Sequence, residues 1–121
     1  MKITILIQES SKTISGPSLN QSKLAYQHIR NGHNVQILSL YSDISPIHDQ
    51  FKKDGYAARK SSIYIDTKEQ IIWIIEAVNS FEPDFFICDW IVVGILASRW
   101  IKLSGIPCVC THLSDDPYFW R

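Results

Sequence analysis

The side chains best suited to chemistry lie near the end of the sequence. A short apolar run, "GIPCVCT" at residues 105–111, is followed directly by His112, and Asp115 and Asp116 come shortly after it. An imidazole can donate a hydrogen bond or hold a proton near neutral pH. The aspartates could orient that ring, act as a base, or cap a helix beginning at Pro117. The pattern predicts a functional histidine at the end of a strand, with a surface imidazole that only caps the strand as the alternative.

The loop after the first apolar run is a second candidate. Residues 8–18, "QESSKTISGPS", are mostly small or hydroxyl-bearing, and Gly16 and Ser18 lie where the next helix begins. Free backbone N–H groups and the helix dipole favour an anion such as phosphate at such a position. Glycine also lets a ligand approach the backbone closely. Gly16 and Ser18 are therefore candidates for substrate contact, although a Gly-Pro turn that only starts the helix fits the residues equally well.

Asp89 and Trp90 form a third candidate, at the end of the apolar run "DFFICD" of residues 84–89. The carboxylate could contact a substrate or only cap the following helix. The indole could stack on a sugar or a base, or cover an edge of the core. Both residues are candidates for substrate binding.

Other chemistries lack their motifs in this sequence. There is no G-x-S-x-G elbow, no HExxH, no GxGxxG and no P-loop lysine. Cys108, Cys110 and His112 are one ligand short of the four that zinc prefers, and the paired aspartates have no third ligand beside them. We therefore expect neither these hydrolase mechanisms nor a metal site.

The three candidates all follow strands of one predicted sheet. A continuous apolar β-branched run predicts a strand at residues 3–7, and further strands are predicted at residues 34–40, 62–65, 84–89 and 106–111. Helical periodicity and start signals lie between them, at Pro17, at Ser45 and Pro46, at Asp66 or Thr67, and near Ile91. This alternation predicts an α/β doubly wound, Rossmann-like parallel sheet with helices on both faces and strand order 3-2-1-4-5. Ligands bind such sheets at the carboxyl ends of the strands, where the winding reverses.

The helices also carry predicted inner faces. Apolar spacing places Leu24 and Ala25 of the first helix, Ile74 and Val78 of the third, and Leu96, Ala97 and Trp100 of the fourth against the sheet. Glycines at 32, 55 and 105 are predicted to end helices. We expect residues 1–121 to form a single domain.

Composition limits the partners. Of the 121 residues, 45% are hydrophobic. The 12 Lys and Arg balance the 12 Asp and Glu, so the protein has no overall positive electrostatic potential that would attract nucleic acid. No stretch is long enough for a transmembrane segment or a signal peptide. Cys88, Cys108 and Cys110 lie within apolar runs, which predicts reduced, buried thiols in a cytoplasmic protein.

Several segments, taken in order, resemble a known family. "GPSLNQSKLAYQHIRNGHNVQILSL", "FEPDFFICDW" and "ASRWIKLSGIPCVCTHLSDD" look like the N-terminal Rossmann-like domain of retaining glycosyltransferases of family 4, of the GT-B type. The resemblance runs from Met1 to about Asp116. It implies a hexosyltransferase that moves a sugar from a nucleotide-sugar donor to an acceptor, with no cofactor besides the donor as co-substrate.

The resemblance also assigns roles by position. In the family, the first glycine loop borders the donor phosphates, and a histidine after the fifth strand approaches the transferred sugar; these roles would fall to Gly16 and His112. The N-terminal domain mainly receives the acceptor, whereas a second domain binds most of the donor. That donor-binding domain and its E-x7-E motif are absent here, and the usual paired glycines are replaced by Gly16 and Pro17.

The chain is therefore expected to be a truncated N-terminal domain, inactive by itself, whose longer protein is cytoplasmic or peripheral to a membrane. The alternative is a non-catalytic Rossmann-like module that binds a small ligand or a protein at the same sheet edge. A flavodoxin-like carrier is disfavoured, because no Ser/Thr-rich phosphate loop lies directly against the first strand.

Overall fold

The structure is a computed structural model that describes residues 1–8, 16–40, 45–61, 66–89 and 92–111. Strands and helices alternate along the chain, as predicted. The elements are β1 (Lys2–Gln8), α1 (Gly16–Arg30), β2 (Asn34–Leu40), α2 (Pro46–Lys53), β3 (Ala57–Lys60), α3 (Thr67–Phe81), β4 (Phe85–Asp89), α4 (Val92–Leu103) and β5 (Cys108–Thr111).

The five strands form one parallel sheet in the order β3-β2-β1-β4-β5. The predicted fold class and strand order are confirmed. In the centre, Ile5 of β1 lies between Ile37 of β2 and Ile87 of β4. Parallel neighbours need helical crossovers, and these crossovers are the four helices.

The helices cover both faces of the sheet, which explains why most positions of the central strands are apolar. On one face Ala25 of α1 and Phe51 of α2 pack with Ile3, Ile5 and Ile7. The other face carries α3 and α4, and its buried cluster is Leu6, Leu38, Leu40, Ile74, Ala77, Val78, Phe86, Cys88, Ala97 and Ile101. Alternate side chains of β1 thus enter opposite cores, as the period of a strand requires.

The predicted position of the third strand was wrong. The strand lies at Ala57–Lys60, "AARK", and pairs with residues 36–39 of β2, whereas residues 62–65 lie outside the described part of the chain. β3 is at the edge of the sheet, where exposed charged side chains such as Arg59 and Lys60 are tolerated and discourage further strand pairing. A search for apolar runs overlooks such a strand.

The predicted helix boundaries agree well with the structure. Asp66 accepts a hydrogen bond from the backbone N–H of Glu69 at 2.8 Å, so the predicted cap of α3 is confirmed. Gly55 follows α2 and Gly105 follows α4, with φ of 88° and 82°, a backbone conformation that suits glycine. Local sequence therefore fixes where these helices begin and end.

The predicted inner faces of α1 and α4 were partly wrong. Ala25 and Ala97 are buried as expected, but Leu24 is exposed and Trp100 is 61% exposed. On α4 the buried positions after Ala97 are Ser98 and Ile101. Small side chains at the contact let the helix approach the sheet closely, and the bulky indole is turned outward.

A tyrosine and an aspartate join α1 to the end of α2. Tyr26 Oη donates a hydrogen bond of 2.7 Å to Asp54 Oδ2, and the Tyr26 ring packs edge-on against Phe51 and Tyr56. Burial, together with the hydrogen bond to the carboxylate, raises the pKa of Tyr26 to about 12. The same hydrogen bond, with one from Gln50, lowers the pKa of Asp54.

The Asp54→Asn substitution is expected to lower the pKa of Tyr26 from about 12 toward its ordinary value of 10. The raised pKa stabilises the folded state below pH 10, and this contribution is lost as the pH rises through about 12. Alkaline titration of tyrosinate absorbance checks the shift, with Tyr26→Phe as the reference that removes the high-pH step of this phenol. An unchanged high-pH titration in Asp54→Asn would show that the carboxylate does not act on this phenol.

Candidate functional site

The candidate site is the edge of the sheet where the strands end. β1 ends at Gln8, β4 at Asp89 and β5 at Thr111, and the last pair in register is Asp89 with Thr111. Because the strands are parallel, these ends meet at one edge. The residue that follows Thr111 is the predicted catalytic His112.

Two helices begin beside the ends of the central strands. α1 starts at Gly16 on the face covered by α1 and α2, and α4 starts at Val92 on the opposite face. The winding therefore reverses between β1 and β4, which is the position where doubly wound sheets bind ligands. The amino ends of both helices carry partial positive charge, so the edge favours an anion between them.

The backbone brings only some of the predicted site residues to this edge. Gly16 and Ser18 lie in the first turn of α1, and Asp89 is the last residue of β4. His112, Trp90 and Asp115 lie outside the described residues, and their assignment to the site stays a prediction.

Gly94, a residue that the sequence analysis missed, controls how closely α4 approaches the site strands. A Cβ atom at this position would lie 3.0 Å from Leu6 Cδ2 of β1 and 3.2 Å from Cys88 Cβ of β4. Glycine in a helix costs about 1 kcal/mol relative to alanine, so its presence in the run "VVGILAS" was a detectable signal of close packing. The contact holds the start of α4 against the two strands between which the winding reverses.

The Gly94→Ala substitution is expected to destabilise the fold by about 1 to 3 kcal/mol, because the added methyl group overpacks a tight contact. Gly94→Val should destabilise it further, since its branches enter the same space. Urea unfolding of the two variants beside the wild type measures the free energy of unfolding. A Gly94→Ala protein that is more stable than the wild type would mean that helix propensity outweighs the contact.

The described residues also form an open groove on the outer side of α3 and α4. The groove has a volume of about 500 Å³ and is lined by Thr67, Lys68, Ile71, Ile72, Ile75 and Trp100. Its mostly aliphatic lining favours packing contacts over recognition of sugar hydroxyls. It contains none of the predicted site residues.

Two properties of the described residues bear on partners. Within the described ranges, no group of three or more His, Cys, Asp or Glu side chains is arranged to hold a metal ion. None of the helices in the same ranges combines the length and apolar character that a membrane crossing requires.

Comparison with solved structures gives a likeness that covers nearly the whole chain. A glycosyltransferase from Rickettsia africae ESF-5 superposes with a TM-score of 0.65, at 14% sequence identity, over 90% of this chain. The likeness shows that the chain shares the fold of the corresponding part of that protein. It spans 28% of the length of that neighbour. No protein-family model and no curated protein sequence matches the chain.

Proposed function

We propose that this chain is the N-terminal, acceptor-side part of a retaining glycosyltransferase that transfers a hexose from a nucleotide-sugar donor to an acceptor. The observation that carries the proposal is the likeness of its parallel sheet to a glycosyltransferase over 90% of the chain. A fold by itself supports many activities. The suitability of the edge between β1 and β4 for binding a nucleotide-sugar donor therefore gives further support.

The edge suits the most highly charged part of such a donor. A nucleotide sugar carries a diphosphate, and the amino ends of α1 and α4 lie on either side of the ends of β1 and β4. Backbone N–H groups at helix starts bind phosphate oxygens without any special side chain. A diphosphate at this edge would thus place its sugar near the residues that follow β4 and β5.

In the proposal each candidate residue has a role. His112 donates a hydrogen bond to the transferred sugar, and Gly16 adjoins the donor phosphates. The remaining substrate contacts are assigned to Ser18, Asp89, Trp90 and Asp115. A second, donor-binding domain supplies the charges that stabilise the leaving diphosphate.

The chain alone is expected to show no turnover. Transfer requires donor and acceptor to be held in one orientation, and this positioning contributes several kcal/mol to the barrier reduction, up to about 11. One wall of a cleft cannot supply it. The 121-residue chain therefore serves as the inactive reference for any assay of a longer protein.

The test is to incubate the natural-length protein with a panel of nucleotide sugars and with sugar, lipid and peptide acceptors. Mass spectrometry should detect one acceptor gaining one hexose, with release of a nucleoside diphosphate, and NMR should show that the anomeric configuration is retained. Binding of a small ligand without transfer from any donor would favour the non-catalytic module. An inverted product would contradict the retaining mechanism.

A further inference from the structure

Two cysteines face each other across the neighbouring strands β4 and β5. Cys88 and Cys110 are partners in the parallel register, and their Sγ atoms lie 3.2 Å apart. Neither is in a disulfide. The contact depends on the register of two strands that α4 separates in sequence, so the linear pattern does not reveal it.

The two thiols differ in their access to solvent. Cys88 is fully buried beneath the start of α4, where its side chain also meets the position of Gly94. Cys110 is exposed at the edge strand. An oxidant in solution can therefore reach the Cys110 sulfur directly, while the Cys88 sulfur lies beside it within the core.

The third cysteine has other partners. Cys108 is half-buried, and its Sγ contacts the carbonyl oxygens of Ile106 at 3.5 Å and Ser98 at 3.6 Å. Burial raises the pKa of the Cys108 thiol, which lowers the share of the reactive thiolate. Cys108 thus provides an internal control on the same strand.

We propose that Cys88 and Cys110 form a site of reversible oxidation, at which a hydroperoxide converts the thiol pair into an intramolecular disulfide joining β4 to β5. This corrects the expectation of three reduced, buried thiols, because Cys110 is exposed. The proposal does not depend on the glycosyltransferase function.

The oxidation of the two thiols proceeds in two steps. The Cys110 thiolate attacks the peroxide, so that an S–O bond forms, the O–O bond breaks, and the departing hydroxide takes up the thiol proton as water. Cys88 then attacks the Cys110 sulfur, so that the S–S bond forms, the S–O bond breaks, and a second water leaves with the Cys88 proton. The two thiols lose two electrons in total, and the hydroperoxide is reduced.

The strand geometry permits this bond. Neighbouring strands lie about 4.8 Å apart, and disulfides join Cα atoms roughly 4.4 to 6.8 Å apart. The sulfurs must move from 3.2 Å to about 2.05 Å. Since β5 is an edge strand paired only with β4 in the described sheet, it can make this adjustment with little resistance.

The test counts thiols after mild treatment of the full chain with hydrogen peroxide. Alkylation with N-ethylmaleimide under denaturing conditions should label three cysteines before oxidation and only Cys108 afterwards. The oxidised chain should be about 2 Da lighter before labelling, and dithiothreitol should restore all three labels. Peptide mapping should find Cys88 linked to Cys110 within one chain.

Matched variants distinguish this pair from other oxidation. Cys108→Ser should form the link as the wild type does, whereas Cys110→Ser and Cys88→Ala should not. Cys110→Ser replaces an exposed side chain, so it decides the test even if Cys88→Ala fails to fold. Three labelled thiols after peroxide, a link that persists in Cys110→Ser, or a gain of oxygen on Cys110 without a link would each overturn the proposal.

Discussion

Under the proposed glycosyltransferase function, replacing His112 by alanine in the natural-length protein is expected to lower turnover by roughly 10² to 10³-fold, because hydrogen bonds to the hydroxyls of the transferred sugar strengthen in the transition state and contribute several kcal/mol. The residue follows Thr111, the last residue of β5, at the edge where the central strands end. The loss should appear in kcat more than in KM, because the interaction strengthens in the transition state.

The matched control is His33→Ala. His33 lies at the opposite edge of the sheet, beside the first residues of β1 and β2, with its Nδ1 3.1 Å from the amino terminus of Met1. It should leave kcat unchanged. Circular dichroism should show both variants folded with nearly the wild-type Tm. Normal turnover in His112→Ala, or its unfolding, would contradict the catalytic assignment.

Replacing Phe86 by alanine is expected to cause the largest loss of stability, about 3 to 5 kcal/mol. Phe86 is fully buried in β4 and packs in the core between the sheet and the helices α3 and α4. Its removal leaves a cavity that the neighbouring strands cannot close, since β4 is paired on both sides by β1 and β5. A domain with total stability of about 5 to 15 kcal/mol would lose a large part of it.

The neighbouring Phe85 provides the comparison within the same strand. It points to the other face, is only half-buried, and packs at the margin of the core beneath α1 and α2. Phe85→Ala should therefore destabilise the protein less than Phe86→Ala in urea unfolding. Equal losses from the two variants would show that burial in this strand does not follow the alternation of its faces.

The strands in the middle of the sheet could be predicted closely from the sequence. β2 has the predicted bounds of residues 34–40, β1 is one residue longer than predicted at each end, and β4 begins one residue later than predicted. Both faces of these strands are covered by helices, so most of their positions are apolar, and this makes the strands recognisable in the sequence. β3 has no such cover along its polar edge, and its sequence gave no comparable signal.

Periodicity was a weaker guide to the helix faces. Trp100 has the spacing of an inner residue, yet it is exposed because the small residues Gly94 and Ala97 make the close contact instead. Hydrophobic periodicity assigns large apolar residues to the inner face of a helix, whereas close packing of a helix against a sheet favours small residues. The rotation of α4 about its axis is decided by this competition.

In the candidate site, too, the sequence predicts the positions of some residues but not all of their contacts. Gly16 and Asp89 could be placed at one edge from sequence alone, because alternating strands and helices fix which strand ends meet. The contact between Cys88 and Cys110 could not be foreseen, and the glycine within α4 indicated close packing without showing which atoms Gly94 faces. These contacts depend on the register between β4 and β5 and on the distance of α4 from the sheet.

The sequence by itself determined the number and order of the elements, the direction of the strands and the edge at which chemistry is expected. These follow from local propensity, helix signals and the short connections that link neighbours. The tertiary structure decided which side chains touch across strands and which helix face turns inward. Such contacts join residues far apart in the chain. They are fixed only when the sheet and the helices on both of its faces pack together at the density of a protein interior.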